Sequence, residues 1–283
     1  MDISVIGATG TAGRATVAAL VARGHTVRAL SRSAPAAGVL PPGVAHHVVD
    51  VGSGSGLRSA LDGTEVVVEC VNAPPARAAP VLVDGVGRAL AAAADAGVAH
   101  WVSLSVVGAD RVPGRYYAAK LAQEEAVAQA AGVDTSLVRA TQFPQLLDLV
   151  WASTWRTGVV PAPRGSLAPV DPRDLADVLC DVAERGPGPR IEVGGPEAQP
   201  IAALARAWRR ARGSRRPVLP VPALNAYLRA VAAGGLLPAP GTARGVRTFD
   251  AWLRERETGA LMVRDDDTAS ISHRATRERT APP

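Results

Sequence analysis

The stretch Ile3-Ser-Val-Ile-Gly7-Ala-Thr-Gly10-Thr-Ala-Gly13 near the start of the chain decides the fold. Residues 3–6 have strand character and lead directly into Gly7, and a helical pattern follows from Thr11 to Ala22. Glycine allows a backbone to approach a diphosphate closely, and the first turn of a helix offers free N–H groups and the positive end of a dipole. We therefore expect a dinucleotide site lined by Gly7, Thr9, Gly10, Thr11 and Gly13.

Strand and helix patterns alternate along the first half of the chain. Several of the strands are continuous Val-rich runs, which is typical of parallel strands buried on both faces. This alternation predicts an α/β fold, a doubly wound parallel Rossmann-type sheet with a smaller C-terminal substrate lobe. The predicted strands are 3–6, 26–30, 44–49, 65–71, 98–104 and 135–139, and the predicted helices are 11–22, 81–96 and 115–131.

The regularity weakens after about residue 145, where a proline-rich, extended segment begins. A helix near 173–185, a strand near 190–193 and a helix at 200–212 are still predicted there. We expect a Rossmann core at 1–145, a C-terminal substrate-binding lobe at 146–263 and a disordered polar tail at 264–283.

The formal net charge of +5 raises the possibility of nucleic-acid binding. The basic residues are mostly spread along the chain, however, and no aromatic residues interleave with them, which argues against that partner. Of the 31 basic residues, Lys120 alone is lysine and the rest are arginine. A position that stays lysine in such a chain indicates a need for an ammonium group, because the two side chains differ in shape and hydration.

Cysteine usage and hydropathy point to a cytoplasmic protein. Cys70 and Cys180 lie far apart and form no CxxC motif, which fits a reducing compartment. The longest uncharged runs contain Pro or Gly and fall short of the roughly 20 apolar residues of a membrane span. The five histidines lack the spacing of metal ligands, so we expect no metal site.

The end of the second predicted strand bears on which cofactor binds. An acidic residue there would hold the ribose hydroxyls of NAD, but the sequence has Ser31-Arg32-Ser33. Arg32 can pair with a 2′-phosphate, so NADP(H) is favoured over NAD(H). Asp50 and Val51, which close the third strand, are expected to meet the adenine. Arg32 as a solvated charge and Asp50 as an ordinary turn residue are the alternatives.

Four further residues form a candidate catalytic group. Tyr116 and Lys120 are four residues apart at the start of a predicted helix and share one face. Hydride transfer to a carbonyl needs a proton donor, and a cation beside the tyrosine would lower its pKa. We expect Tyr116 to be that donor, Lys120 to tune it and to hold the nicotinamide ribose, Ser105 to bind the carbonyl, and Asn72 to line the cofactor cleft.

Together these motifs resemble the atypical, NmrA-like NAD(P)H-binding branch of the short-chain dehydrogenase/reductase superfamily. The glycine loop matches at 7, 10 and 13, the active-site YxxxK motif at Tyr116 and Lys120, and the strand serine best at Ser105. Asn72-Ala-Pro departs from the usual Asn-Ala-Ala-Gly. The resemblance is good over 1–145 and thin beyond it, and it implies the residue roles given above.

The first functional hypothesis is an NADP(H)-dependent reductase or dehydrogenase. Its expected substrate is a mostly apolar or aromatic carbonyl compound, because the predicted pocket residues Gln142, Phe143, Trp151 and Trp155 carry no charge. One alternative is a non-catalytic NADP(H)-sensing regulatory protein of NmrA type. Another is an isomerase or epimerase that uses tightly bound cofactor. The sequence leaves the oligomeric state open.

Overall fold

The computed structural model describes residues 1–258, which form twelve strands and nine α-helices. The strands are β1 (Asp2–Ile6), β2 (Thr26–Ser31), β3 (Ala45–Val48), β4 (Val66–Glu69), β5 (His100–Val106), β6 (Asp134–Ala140), β7 (Val160–Pro163), β8 (Ser166–Leu167), β9 (Ile191–Gly194), β10 (Gln199–Pro200), β11 (Val218–Val221) and β12 (Ala243–Arg244). The helices are α1 (Thr11–Ala22), α2 (Leu57–Leu61), α3 (Val86–Asp95), α4 (Arg115–Ala128), α5 (Pro144–Ser153), α6 (Pro172–Arg185), α7 (Ile201–Ala211), α8 (Ala226–Ala232) and α9 (Phe249–Glu257). A π-helical segment, Ala79–Gly85, leads into α3.

Eight strands form one sheet in the order β12-β9-β6-β5-β4-β1-β2-β3, and every neighbouring pair is parallel. The chain runs outward from β1 in one direction and then returns to β4 on the other side of β1. A parallel sheet binds ligands beyond the carboxyl ends of its strands at such a reversal. The β1–β4 junction is therefore the place where a site is expected.

Helices cover both faces of this sheet. Side chains of α1 and α6 pack on one face, where Val66 and Val68 of β4 point. Side chains of α3 and α4 cover the opposite face, with Val67 of β4 and Trp101 of β5. Each fully buried aliphatic side chain contributes about 1.5–3 kcal/mol of burial free energy, so these two layers hold the sheet rigid.

A second core lies in the C-terminal half of the described chain. It is rich in aromatic rings, with Trp151 packed 5.8 Å from Trp208 and 6.3 Å from Phe249 between ring centroids. Two small sheets accompany it, an antiparallel β8–β10 pair and a parallel β7–β11 pair. This core forms the lobe beside the carboxyl edge of β5 and β6.

The predicted fold class is confirmed, since the main sheet is parallel and has helices on both faces. The segment after residue 145 does more than form a lobe, because β9 and β12 extend the sheet and α6 covers one of its faces. The sequence did not predict α5, although its first residues follow the predicted strand at 135–139 directly. The predicted disordered tail, 264–283, and residues 259–263 of the predicted lobe lie outside the described residues.

No helix within residues 1–258 is both long and apolar enough to cross a membrane.

Candidate functional site

The glycine turn between β1 and α1 is built so that two of its glycines admit no other residue. Gly7 has φ of +79°, and a Cβ there would lie 2.8 Å from the carbonyl oxygen of Cys70. A Cβ at Gly13 would lie 2.2 Å from the carbonyl oxygen of Gly7. Both contacts are far closer than real side chains allow, so the turn depends on these two glycines for its shape.

Gly10 differs from the other two glycines of the loop. Its φ of −74° and ψ of 171° are open to any residue, and a Cβ would meet only the Gly7 carbonyl oxygen, at 3.3 Å. Gly10 is also the N-cap of α1, and no side chain caps the helix there. The N–H groups of the first turn of α1 therefore have no intrahelical partners, and no side chain at Gly10 covers them. Such a helix N-terminus can bind a diphosphate.

The carboxyl end of β2 holds the residues that were predicted to select the cofactor. The Ser31 hydroxyl contacts His46 Nε2 at 2.8 Å and the Ser33 carbonyl oxygen at 2.9 Å. Arg32 follows with an exposed side chain, and no carboxylate stands among residues 28–33. An exposed guanidinium group therefore lies at the end of β2.

Asp50 and Val51 lie in the turn after β3, which ends at Val48, and do not close that strand as the sequence predicted. The Asp50 carboxylate accepts hydrogen bonds from the Gly52 N–H at 2.9 Å and from the Ser53 hydroxyl at 3.1 Å. Val51 is buried, and its carbonyl oxygen accepts from Arg88 at 2.9 Å. In this structure Asp50 acts as a turn residue, the alternative stated above for it.

Tyr116 and Asn72 come together at the carboxyl edge of the sheet. The Tyr116 hydroxyl donates to Asn72 Oδ1 at 3.1 Å. Burial raises the pKa of Tyr116 to about 12; the Asn72 hydrogen bond lowers it and the charge of Glu69 raises it. The sequence led us to expect that Lys120 would lower this pKa. The burial of the ring and the negative charge of Glu69 produce the opposite direction, and the phenol stays protonated at neutral pH.

The sole lysine lies at the ends of two central strands. Lys120 is 3% exposed, and its ammonium donates to the carbonyl oxygens of Leu104 at 3.1 Å and Val71 at 3.4 Å. Burial lowers the pKa of Lys120, while the nearby charge of Glu69 raises it. An ammonium has three N–H donors, so two carbonyl contacts leave one for a ligand.

Ser105 lies on β5 and belongs to a hydrogen-bond network with Glu124 and Arg139. Its hydroxyl donates to Glu124 Oε1 at 2.5 Å, and Glu124 in turn binds the buried Arg139 at 2.6 Å. Arg139 also contacts Asp110 at 2.9 Å. Because a serine hydroxyl has a single hydrogen to donate, Ser105 has none available for a substrate carbonyl in this arrangement.

The four predicted substrate residues separate into two pairs. Gln142 and Phe143 follow β6 directly, and Gln142 Oε1 is buried without a hydrogen-bond partner. Trp151 instead lies in the aromatic core of the lobe, where its indole donates to the Pro161 carbonyl oxygen at 3.0 Å. Trp155 is 66% exposed beneath the guanidinium of Arg156. The first pair borders the site, and the second is not brought to it.

Sequence reasoning missed Glu69. This residue is fully buried on β4, where it accepts hydrogen bonds from Val71 N–H, Ser103 and Gln123. Its signal in the sequence is a single carboxylate inside the apolar run 66–71. A charge within an apolar run that is buried on both faces of a sheet calls for a buried partner.

Comparisons with solved structures find a similar fold in proteins that were crystallised with NAD or NADPH. A short-chain dehydrogenase/reductase superfamily protein from Agrobacterium tumefaciens with bound NAD is 22% identical, with a TM-score of 0.69, covering 99% of this chain and 100% of that one. The NADPH-dependent quinone oxidoreductase QOR2 from Escherichia coli, complexed with NADPH, is 20% identical, with a TM-score of 0.74 and coverage of 90% and 99%. The UDP-glucose 4-epimerase of Thermus thermophilus in complex with NAD is 20% identical, with a TM-score of 0.67 and coverage of 90% and 99%.

At these identities the likeness establishes the fold alone. No curated protein sequence matches this chain. The sequence profile described as NAD(P)H-binding matches residues 7–185, from the first glycine of the loop to the end of α6. That match covers more than half of the chain and confirms the resemblance drawn from the motifs. The chain therefore belongs to the NAD(P)H-binding family and has the fold of the short-chain dehydrogenase/reductase superfamily.

Proposed function

We propose that this chain is an NADP(H)-dependent reductase or dehydrogenase that acts on an apolar or aromatic carbonyl compound. The observation that carries the proposal is that Tyr116 and Lys120 both contact the segment just after β4, at Asn72 and Val71 respectively, and that β4 neighbours the strand leading into the glycine turn. This arrangement supports a proton donor and a ribose ligand at the same edge of the sheet as a diphosphate site.

The cofactor, when bound, supplies the hydride, and residues of this chain would bind the cofactor and supply the proton. The first turn of α1 would hold the diphosphate, and the remaining N–H donor of Lys120 would hold the nicotinamide ribose. Tyr116 would give its hydroxyl proton to the carbonyl oxygen as negative charge develops there. The raised pKa of Tyr116 keeps the proton on the phenol at neutral pH, and its transfer requires the more basic alkoxide that hydride addition creates.

Arg32 supports a preference for NADP(H), since a guanidinium at the end of β2 can bind a 2′-phosphate. We expect Arg32→Ala to weaken NADPH binding by about tenfold, the value of one charge-assisted hydrogen bond, and to leave NADH binding unchanged. Titrations of both nucleotides by calorimetry measure this. Arg58→Ala, which removes another exposed arginine, is the control and should alter neither affinity. An equal loss for both nucleotides in R32A would contradict the assignment.

The uncharged side chains of Gln142 and Phe143 at the end of β6 favour a substrate of low polarity. The similar E. coli protein is an NADPH-dependent quinone oxidoreductase, which makes quinones a suitable first probe. We expect quinones and aromatic ketones to be reduced with equimolar oxidation of NADPH, followed at 340 nm, and small hydroxylated carbonyls to react poorly. NADPH that binds but is not oxidised by any member of such a panel would contradict the proposal.

The sensing alternative keeps one observation in its favour. The hydroxyls of Ser105 and Tyr116 both donate to protein groups, to Glu124 and Asn72 respectively. A protein that only senses NADP(H) would show a change in partner affinity on binding the nucleotide, with no consumption of a carbonyl compound. The same assay therefore separates the two functions.

A further inference from the structure

A carboxylate lies fully buried beneath the proposed site. Glu69 is the last residue of β4 and points to the face of the sheet that α4 covers, whereas its neighbours Val67 and Val68 are apolar. An isolated carboxylate in such surroundings is strongly destabilising unless donors and a positive charge compensate for it. Its presence in an otherwise apolar strand needs a physical explanation.

Every hydrogen-bond partner of Glu69 is a donor. The Val71 N–H donates to Oε1 at 2.6 Å, and the Ser103 hydroxyl and the Gln123 amide donate to Oε2 at 2.6 and 2.7 Å. This set suits an ionised carboxylate, which can only accept. Burial raises the pKa of Glu69, and the charge of Lys120 and these three hydrogen bonds lower it.

Lys120 on α4 is a cation that shares neighbours with Glu69: Val71 gives its N–H to Glu69 and its carbonyl oxygen to Lys120, and Gln123, which donates to Glu69, lies three residues after Lys120 on the same helix. Burial disfavours its ammonium form, and carbonyl contacts alone are dipoles rather than charges. The other ionisable groups that face this pair are Cys70, which follows β4, and Tyr116 and Glu124 on α4. Glu124 is already paired with Arg139 at 2.6 Å, and the thiol and phenol are neutral. Of the two carboxylates near Lys120, Glu124 has an arginine partner, whereas Glu69 has no arginine partner among the described residues.

We propose that Glu69 is a positioning residue, whose buried carboxylate keeps Lys120 in its charged form where that side chain contacts the Val71 and Leu104 carbonyl oxygens. The proposal deepens the function given above, since it rests on Lys120 as the ligand of the nicotinamide ribose. It also separates two tasks within one site. The glycine turn and Lys120 contact the nucleotide, while Glu69 acts only through Lys120.

The test uses the fact that Lys120 is the only lysine in the chain. Protein labelled with ¹³C at the ε carbon of lysine gives one NMR signal, whose shift follows the protonation of Lys120 without any substrate. In the wild type we expect the ammonium form at pH 7. In Glu69→Gln we expect the titration midpoint to fall by about one pH unit or more, because an opposite charge is lost while burial remains.

The Glu69→Gln variant can keep three hydrogen bonds at this position. The new amide oxygen can accept from Val71 N–H, and its NH₂ can donate to the Ser103 hydroxyl oxygen and, once the Gln123 amide turns over, to Gln123 Oε1. Glu125→Gln is the matched control, because Glu125 is an exposed carboxylate on the same helix. It should leave the midpoint unchanged. Glu69→Asp retains the charge and should stay close to the wild type.

NADPH affinity gives a second readout with a defined sign. Lys120 loses its proton as the pH rises, so NADPH binding should weaken on going to alkaline pH, and in E69Q this loss should begin at lower pH than in the wild type. An unchanged Lys120 midpoint in folded E69Q would overturn the inference. So would a neutral Lys120 in the wild type at pH 7, a measurement that stands even if E69Q does not fold. Failure to reduce any carbonyl would affect the proposed function and leave the titration result intact.

Discussion

Replacing Tyr116 with phenylalanine should lower kcat by about 10²–10⁴-fold, the range for loss of a general acid, while NADPH affinity stays within about twofold. The variant removes one hydroxyl and its hydrogen bond to Asn72, and it keeps the ring that packs edge-on against Tyr117 at 5.5 Å. The fold and the cofactor cradle are therefore preserved. Stopped-flow measurement of NADPH oxidation, together with a calorimetric titration of the nucleotide, gives both quantities.

Tyr227→Phe is a suitable control for this experiment. Tyr227 is 41% exposed on α8 and belongs to the same row of three tyrosines, with its ring 6.2 Å from that of Tyr117. Its hydroxyl has no proposed part in the proton transfer, so Y227F should turn over at close to the wild-type rate. If Y116F also retained the wild-type rate, Tyr116 would not be the acid.

Replacing Gly10 with valine should weaken NADPH binding by at least a hundredfold, about 2.8 kcal/mol. The backbone angles of Gly10 suit any residue, so the added side chain affects the surface that faces the diphosphate more than it affects the fold. Gly7 and Gly13 are poorer choices, because a side chain at either would collide with the turn itself. Quenching of protein fluorescence on titration with NADPH provides the affinity.

The matched control for this variant is Gly87→Val on α3. An added Cβ there meets no atom within 4 Å, so the same substitution is made on a helix outside the glycine turn. G87V should bind NADPH as the wild type does. If a G10V protein melted at the wild-type temperature and still bound NADPH with wild-type affinity, the diphosphate would not bind at this turn.

Much of the fold could be predicted because it rests on local signals. The glycine spacing after β1 and the alternation of Val-rich strands with helices reflect backbone geometry and burial, which are written in neighbouring residues. The convergence of Tyr116, Lys120 and the glycine turn followed from the rule that parallel sheets bind ligands at the carboxyl ends of their strands. These features need no knowledge of distant contacts.

The features of the site that could not be predicted depend on contacts between residues far apart in sequence. The pairing of Ser105 with Glu124 and of Glu124 with Arg139 joins β5, α4 and β6, and no local pattern indicates it. Trp151 seemed a pocket residue because it is apolar and follows the core, yet packing against Trp208 and Phe249 buries it in the lobe. Glu69 was visible as an anomaly in an apolar strand, but its partner on α4 required the three-dimensional fold.

The most direct test of a nucleotide held by the glycine turn and the sole lysine is to follow the single ¹³C signal of Lys120 while NADPH is added to the wild-type protein. We expect one shift of that signal that saturates at a 1:1 ratio of NADPH to protein. In Gly10→Val we expect no such shift at the same concentrations. A signal that stays in place while calorimetry shows the nucleotide to be fully bound would contradict this expectation, as would a complete absence of binding.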